Sequence, residues 1–197
     1  MKRFNAGYAH GNYYLIDAGR HCLAIDVGWP GTIRDYGRSL RPTGRKVHEI
    51  EYLVVTHFHP DHAGLVRELQ DLGTTFVILD AQVESVAPME ALIRRKMSYR
   101  PINIGAATVI TESASGEFLR GIGIAGRVVH TPGHSGDSIS VLLDSGDAFT
   151  GDLRPEHQVM DDNSAAKTSW LKLQALGARR ISPGHGPPFD LRQETDS

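Results

Sequence analysis

The chain contains 197 residues, of which 40% are hydrophobic and 22% are charged, with a formal net charge of −2. This length predicts one domain over residues 1–197, because compact domains commonly hold roughly 100–200 residues. The charge balance provides no positive field for nucleic acid or an anionic membrane surface. Cys22 is the single cysteine, which excludes an internal disulfide and a cysteine-rich zinc site.

The hydropathy pattern predicts a cytoplasmic protein. No apolar stretch follows Lys2 and Arg3, as it would in a signal peptide. No run approaches the roughly 20 apolar residues of a membrane helix. Together with the charge balance, these features predict neither a nucleic-acid nor a membrane partner.

Short apolar runs predict strands in the first half of the chain, first in a hairpin and then in alternation with helices. The hairpin covers residues 13–17 and 21–27, joined by Ala18-Gly19-Arg20. Further along, the pattern predicts a helix at 32–40, a buried strand at 50–56, a helix at 63–72 that ends before Gly73, and a strand at 75–79.

The second half predicts strands at residues 108–110, 121–129, 138–143 and 148–150, with helices at 82–96 and 164–176. Asp162, Asn163 and Ser164 are candidate caps of the last helix, which Gly177 would end. Strands that occur both in hairpins and in alternation with helices predict two central sheets with helices outside. The expected fold class is therefore α/β (α+β), as a four-layer αββα sandwich.

One segment, Thr56-His57-Phe58-His59-Pro60-Asp61-His62, concentrates potential metal ligands at the end of a predicted strand. In an extended chain His57 and His59 point to the same side, because side chains alternate along a strand. The turn that follows brings Asp61 and His62 alongside them. A solvated, histidine-rich loop is the alternative interpretation of this segment taken alone.

Three later segments each place one histidine or aspartate beside glycine after an apolar strand. They carry His134, Asp152 and His185. Loops at strand ends are where a rigid scaffold holds functional groups. Imidazole and carboxylate ligands suit Zn²⁺, whereas a closed structural zinc site is most often rich in cysteine. The pattern therefore favours an open metal site.

The motif T-H-x-H-x-D-H at residues 56–62, followed in order by His134, Asp152 and His185, resembles the metallo-β-lactamase superfamily from about residue 11 to residue 185. The resemblance implies an αββα sandwich of the metallo-β-lactamase type and a site for two Zn²⁺ ions, with iron or manganese as alternatives. It further implies that one metal is held by His57, His59 and His134 and the second by Asp61, His62 and His185, with Asp152 bridging both.

The ligand set is similar to that of glyoxalase II-like hydrolases. This resemblance implies a small-molecule substrate, which the enzyme would cleave as a small ester, thioester or lactone. Two metals roughly 3.5–4 Å apart would share a water and convert it to the attacking hydroxide. Asp61 would be the catalytic residue that accepts a hydrogen bond from this hydroxide and aims it at the substrate carbonyl. Candidates for contact with substrate are Arg154 and His157, just after Asp152, and Tyr99, in a segment that often covers the pocket in relatives.

Other functions stay open at this point. A persulfide dioxygenase with one iron shares the fold and most ligand positions, while a phosphodiesterase is disfavoured by the acidic balance. Diiron flavoproteins commonly carry glutamate where His59 stands, and zinc β-lactamases typically lack the bridging aspartate, so both are poorer matches. A non-catalytic, metal-stabilised binding module is a further alternative. Asp137 is a candidate to hydrogen-bond a ligand histidine.

Overall fold

The strands of the amino-terminal half of the chain form the first of two sheets. The computed structural model describes residues 1–160 and 164–191. Asp162 and Asn163, two of the candidate helix caps, lie outside the described residues. The first sheet contains β1 (Lys2–Asn5), β2 (Tyr14–Asp17), β3 (Cys22–Ile25), β4 (Tyr52–Val54), β5 (Thr75–Leu79) and β6 (Thr108–Ile110), in that spatial order. Strands β1 to β3 pair antiparallel, whereas β3 to β6 pair parallel.

The second sheet contains β7 (Gly126–His130), β8 (Ile139–Leu143), β9 (Asp147–Gly151), β10 (Arg180–Pro183) and β11 (Phe189–Asp190), in the spatial order β11-β10-β9-β8-β7. Neighbouring strands are antiparallel except for β9 and β10, which are parallel. Strands β7, β9 and β10 consequently run in the same direction. Their carboxyl ends therefore lie at one edge of the sheet.

The helices connect the strands and cover the sheets. They are α1 (Ile33–Ser39), α2 (Pro60–Ala63), α3 (Val66–Asp71), α4 (Val83–Arg94), α5 (Glu112–Gly121) and α6 (Ser164–Ala175). Short 3-10 turns occur at Arg41–Thr43, Val47–Glu49, Asp80–Gln82, Ile104–Ala106 and Glu156–Gln158. No helix in the described ranges is long and apolar enough to cross a membrane.

Buried apolar side chains fill the spaces between four layers. Val54 of β4 and Val141 of β8 belong to the cluster between the two sheets. Leu53, which points to the opposite face of β4, belongs with Leu69 of α3 to the cluster outside the first sheet. Trp170 of α6 lies in a third cluster, outside the second sheet. Burial of one such side chain contributes roughly 1.5–3 kcal/mol. The order helix, sheet, sheet, helix confirms the predicted αββα sandwich.

The predicted strand at 121–129 was wrong over its first half, because α5 occupies Glu112–Gly121 and β7 begins only at Gly126. Thr111 caps this helix, accepting a hydrogen bond from Ala114 N at 3.2 Å. Ser115 fixes the helix to the sheet, since its hydroxyl accepts a hydrogen bond from Val128 N at 3.0 Å. Tertiary contacts therefore stabilise a helix whose serine and glycine content disfavours helix formation.

Several other predicted boundaries were also wrong. The strand expected at 50–56 is limited to Tyr52–Val54, and β1 was not predicted at all. The helix expected at 63–72 is divided into α2 and α3, because Leu65 between them has φ −104° and ψ 7°. Gly64 at this break lies close to another loop, since an added Cβ would lie 2.4 Å from Gly28 O.

Candidate metal centre

All seven predicted ligands lie at one edge of the sandwich, in segments that follow strand ends. His57 and His59 lie in the loop after β4, and Asp61 and His62 lie in α2. The second sheet supplies the remaining three from the parallel carboxyl ends of β7, β9 and β10; these residues are His134, Asp152 and His185. The two sheets thus face each other across the candidate site.

The first cluster brings three histidine nitrogens together. His57 Nε2 and His134 Nε2 each lie 3.0 Å from His59 Nδ1. One potential ligand atom from each of these histidines and one from Asp152 all lie within 4.8 Å of one another. A tetrahedral ion with metal–nitrogen distances of roughly 2.0–2.1 Å requires ligand atoms at this kind of spacing.

The second cluster contains Asp61, His62 and His185, whose ligand atoms also lie within 4.8 Å of one another. Asp61 Oδ2 is 3.2 Å from His185 Nε2 and 3.7 Å from His62 Nε2. His62 is fully buried, whereas the other two side chains reach solvent. This arrangement leaves one side of the cluster open.

Asp152 lies between the clusters and turns one carboxylate oxygen toward each. Its Oδ2 is 3.6 Å from His134 Nε2 and 3.9 Å from His57 Nε2. Its Oδ1 is 3.3 Å from His62 Nε2 and 3.5 Å from His185 Nε2. Asp152 Oδ1 and His62 Nε2 are buried and lie 3.3 Å apart, but neither atom forms a hydrogen bond with any described residue. Buried polar atoms without partners are costly, so this donor set fits bound cations.

Asp26, a residue that the sequence analysis missed, supports one ligand in each cluster. Its side chain is buried, and its Oδ2 accepts hydrogen bonds at 2.8 Å from His62 Nδ1 and from Thr56 Oγ1. Thr56 Oγ1 lies 3.1 Å from His57 Nδ1 and, because it donates to Asp26, it accepts from that nitrogen. The Nε2 atoms of His57 and His62 are thereby left free to bind metal.

Burial and neighbouring charges act differently on the two buried histidines. Burial lowers the pKa of His57 well below its ordinary value, and the surrounding imidazoles lower it further. Burial also opposes protonation of His62, but the carboxylates of Asp26 and Asp152 outweigh it and raise the pKa of His62 to about 10. Burial raises the pKa of the Asp152 carboxyl, but His62, His185 and His134 outweigh burial and hold this pKa below its usual value.

Asp137 does not hydrogen-bond a ligand imidazole, so that expectation was wrong. Its Oδ2 accepts a hydrogen bond at 2.9 Å from the backbone N–H of Phe58, between His57 and His59. Buried Gln82 donates at 3.0 Å to the Asp137 carbonyl and at 3.2 Å to Val55 O. These bonds hold the backbone of the loop that carries His57 and His59. Because they involve backbone groups, no side-chain motif in the sequence predicts them.

A clamp from the amino-terminal hairpin fixes the loop that carries His185. Asn12 Nδ2 donates to Pro183 O at 3.0 Å and to Gly186 O at 2.7 Å, and Asn12 N donates to Gly184 O at 2.7 Å. His185 Nδ1 donates at 2.9 Å to the carbonyl of His10, which has a positive φ of 70°. The clamp therefore orients His185 Nε2 toward Asp61.

We expect Asn12→Ala to weaken metal binding at the second cluster by roughly 10–100-fold, as loss of such supporting bonds does elsewhere. Zinc titration against a chromophoric chelator would measure this affinity, and Asn103→Ala, at an exposed asparagine far along the chain, is the matched control. Two equivalents of zinc bound by Asn12→Ala with unchanged affinity would show that the clamp does not position His185.

The candidate substrate residues occupy different places. Arg154 and His157 line a cleft together with His134, Asp152 and His185. Tyr99 packs against the cluster outside the first sheet, and its hydroxyl donates to Glu90 Oε1 at 3.3 Å. The structure thus brings Arg154 and His157 to the cleft, whereas Tyr99 is engaged with α4.

Comparison with known proteins agrees with this geometry. The family described as the metallo-beta-lactamase superfamily matches residues 6–185. Lactamase-like protein aptB of Emericella nidulans is 30% identical over 91% of this chain and 52% of its own length. The Atrochrysone carboxyl ACP thioesterase of Aspergillus fumigatus is 29% identical over 94% of this chain and 40% of its own length. This chain therefore spans about half the length of the curated relatives it matches.

A solved structure shows the same fold. The metallo-beta-lactamase family protein TTHA1429 of Thermus thermophilus superposes with a TM-score of 0.74 at 21% identity, over 95% of this chain and 74% of that one. With the family match over residues 6–185, this chain belongs to the metallo-β-lactamase superfamily, whose members typically bind metal ions. Its histidine and aspartate clusters are able to hold such ions.

Proposed function

We propose that this chain is a metal-dependent hydrolase that cleaves a small ester, thioester or lactone. The observation that carries the proposal is the position of Asp152, whose two oxygens face different ligand clusters. A carboxylate in this position suits a pair of divalent ions, which hydrolases use to activate water. The thioesterase name of the Aspergillus fumigatus relative supports a thioester as the first substrate to test.

The proposed cofactor is a pair of Zn²⁺ ions, with iron or manganese as alternatives. Imidazole and carboxylate donors suit these ions, and Cys22 is buried and remote in sequence from every ligand. When bound, such ions lower the pKa of water from about 15.7 toward about 7 and stabilise negative charge on the acyl oxygen. The residues that would hold them are His57, His59 and His134 for the first, Asp61, His62 and His185 for the second, and Asp152 for both.

Asp61 is the residue proposed to orient the attacking water. Its side chain is partly exposed, and Oδ2 is the atom nearest His185 and His62. An ionised carboxylate has about four lone-pair sites, so Asp61 retains acceptor capacity beyond these contacts. A hydrogen bond from the water to Asp61 would direct the water's lone pair toward the substrate carbonyl.

The complete second cluster favours a two-metal hydrolase over a one-iron persulfide dioxygenase. A single ion would leave three further donors grouped without one. His62 in particular is buried, with Nδ1 held by Asp26 and Nε2 without a hydrogen bond to the described chain. Leaving such an atom unpaired is unfavourable, and a second ion would satisfy it.

Metal content and turnover, measured on one preparation, test the proposal. The chain would be loaded with Zn²⁺, freed of excess metal and assayed on p-nitrophenyl acetate, an S-acetyl thioester, a γ-lactone and bis(p-nitrophenyl) phosphate. We expect two zinc ions per chain and hydrolysis of at least one acyl substrate, because the donor set suits a hydrolytic pair. Asp152→Ala is expected to lose both properties.

Two results would contradict this function. One is a chain that binds one iron, consumes oxygen with a persulfide and cleaves no acyl substrate. The other is cleavage of the phosphodiester alone, which would assign the chain to a different class of hydrolase.

A further inference from the structure

A cleft of about 540 Å³ adjoins the candidate metal centre, and both apolar and polar residues line it. The apolar lining residues include Leu153, Pro187 and Phe189. The polar lining residues include three of the candidate ligands together with Arg154 and His157. A cleft of this composition suits a ligand with an apolar chain and a polar or charged end.

The formal charges that line the cleft are few. Among its described lining residues, Arg154 is the only lysine or arginine, and Asp152 is the only acidic residue. Asp152 already faces four histidine nitrogens of the two clusters. Among these described lining residues, the guanidinium of Arg154 is therefore the formal charge left to bind a ligand.

Arg154 is anchored at its backbone, and no described residue pairs with its guanidinium. Its carbonyl accepts a hydrogen bond at 2.8 Å from the indole Nε1 of Trp170, a side chain that is 0% exposed. Its guanidinium makes no ion pair or hydrogen bond with the described part of the chain, whereas that of Arg45 is paired with Asp17 and that of Arg94 with Glu90. A planar guanidinium on a fixed backbone is well suited to bind a carboxylate or phosphate in a bidentate manner.

We infer that Arg154 binds an oxyanion carried by the substrate, so that the enzyme prefers anionic acyl esters or thioesters to neutral ones of the same length. This inference rests on the proposed hydrolase function and adds the substrate class. The apolar lining residues would contact the hydrocarbon part of the same substrate. Gln158, which also lines the cleft, adds polar groups to the same loop without adding charge.

Two matched substrate pairs test whether the oxyanion lies on the acyl group or on the leaving group of the substrate. Succinyl and butyryl thioesters of N-acetylcysteamine differ by a carboxylate on the acyl group. Butyryl thioesters of 4′-phosphopantetheine and pantetheine differ by a phosphate on the leaving group. In one of these pairs we expect kcat/KM to favour the anionic member by about 10-fold or more, the discrimination that one hydrogen bond to a charged group provides.

Arg154→Gln is expected to bring that ratio close to one, and Arg154→Lys to retain part of it, because lysine keeps the charge without the planar fork. Arg120→Gln is the matched control, since Arg120 is exposed on α5 and lines a different groove. It should leave the ratio unchanged. Metal content should be the same in all four proteins.

Binding of uncleavable amide analogues, measured by calorimetry, separates this inference from the proposed function. Absence of turnover on every substrate would refute the hydrolase, yet tighter binding of the anionic analogue that is lost in Arg154→Gln would still support the subsite. Equal binding and equal turnover of the anionic and neutral members in both pairs would overturn it, as would a preference that survives in Arg154→Gln.

Discussion

Asp26→Ala is expected to weaken metal binding at both clusters by roughly 10–100-fold and to lower the free energy of unfolding by about 3–5 kcal/mol. Asp26 is 2% exposed and accepts hydrogen bonds from Thr56 and His62. Its removal leaves a buried imidazole N–H and a hydroxyl without an acceptor. The free energy of unfolding would be measured with urea in the absence of metal, and affinity by zinc titration.

The two effects of Asp26 can be separated by comparison with other variants. Asp26→Asn keeps the shape and one acceptor oxygen, so we expect a smaller loss of stability than in the alanine variant. Asp144→Ala removes an exposed aspartate and should change neither quantity by much. If Asp26→Ala bound two zinc ions with normal affinity, the tautomers of His57 and His62 would not depend on Asp26.

The sequence made the seven candidate ligands recognisable because each carries a local signature. His57, His59, Asp61 and His62 lie within six residues, and each later ligand stands beside or between glycines. Some of these glycines are required by close packing. An added Cβ at Gly184 would lie 2.6 Å from Asp152 Oδ1 and from His62 Cε1. The layered fold was likewise predictable, because consecutive apolar residues such as Leu53 and Val54 indicate a strand that is buried on both faces.

The supporting residues were not predictable, because their contacts join distant parts of the chain. Asp26 hydrogen-bonds His62, which lies 36 residues further along, and Asn12 hydrogen-bonds Pro183 across 171 residues. One signal for Asp26 was present, namely a charged residue directly after the fully buried strand Cys22–Ile25. A carboxylate at the end of such a strand must find partners or remain unpaired in the interior.

Asp61→Ala and His134→Ala are expected to reduce kcat/KM by roughly 10²–10³-fold or more, as removal of one group that stabilises the transition state does. The two residues belong to different clusters. We therefore expect each variant to lose about one metal ion per chain, from the second cluster in Asp61→Ala and from the first in His134→Ala. Both side chains are partly exposed, and neither belongs to an apolar core cluster. Each variant should therefore fold, with a circular dichroism spectrum and metal-free urea midpoint close to those of the parent chain.

Two matched controls test whether the losses are specific to the ligand clusters. His48→Ala removes an exposed histidine and Asp144→Ala an exposed aspartate, and neither residue lies in a ligand cluster. Both controls should keep two metal ions and full turnover. Full turnover in Asp61→Ala, with His134→Ala inactive, would confine the chemistry to the first cluster and remove Asp61 from the mechanism. Full turnover in both would mean that the convergence of these donors at the sheet edge has no part in catalysis.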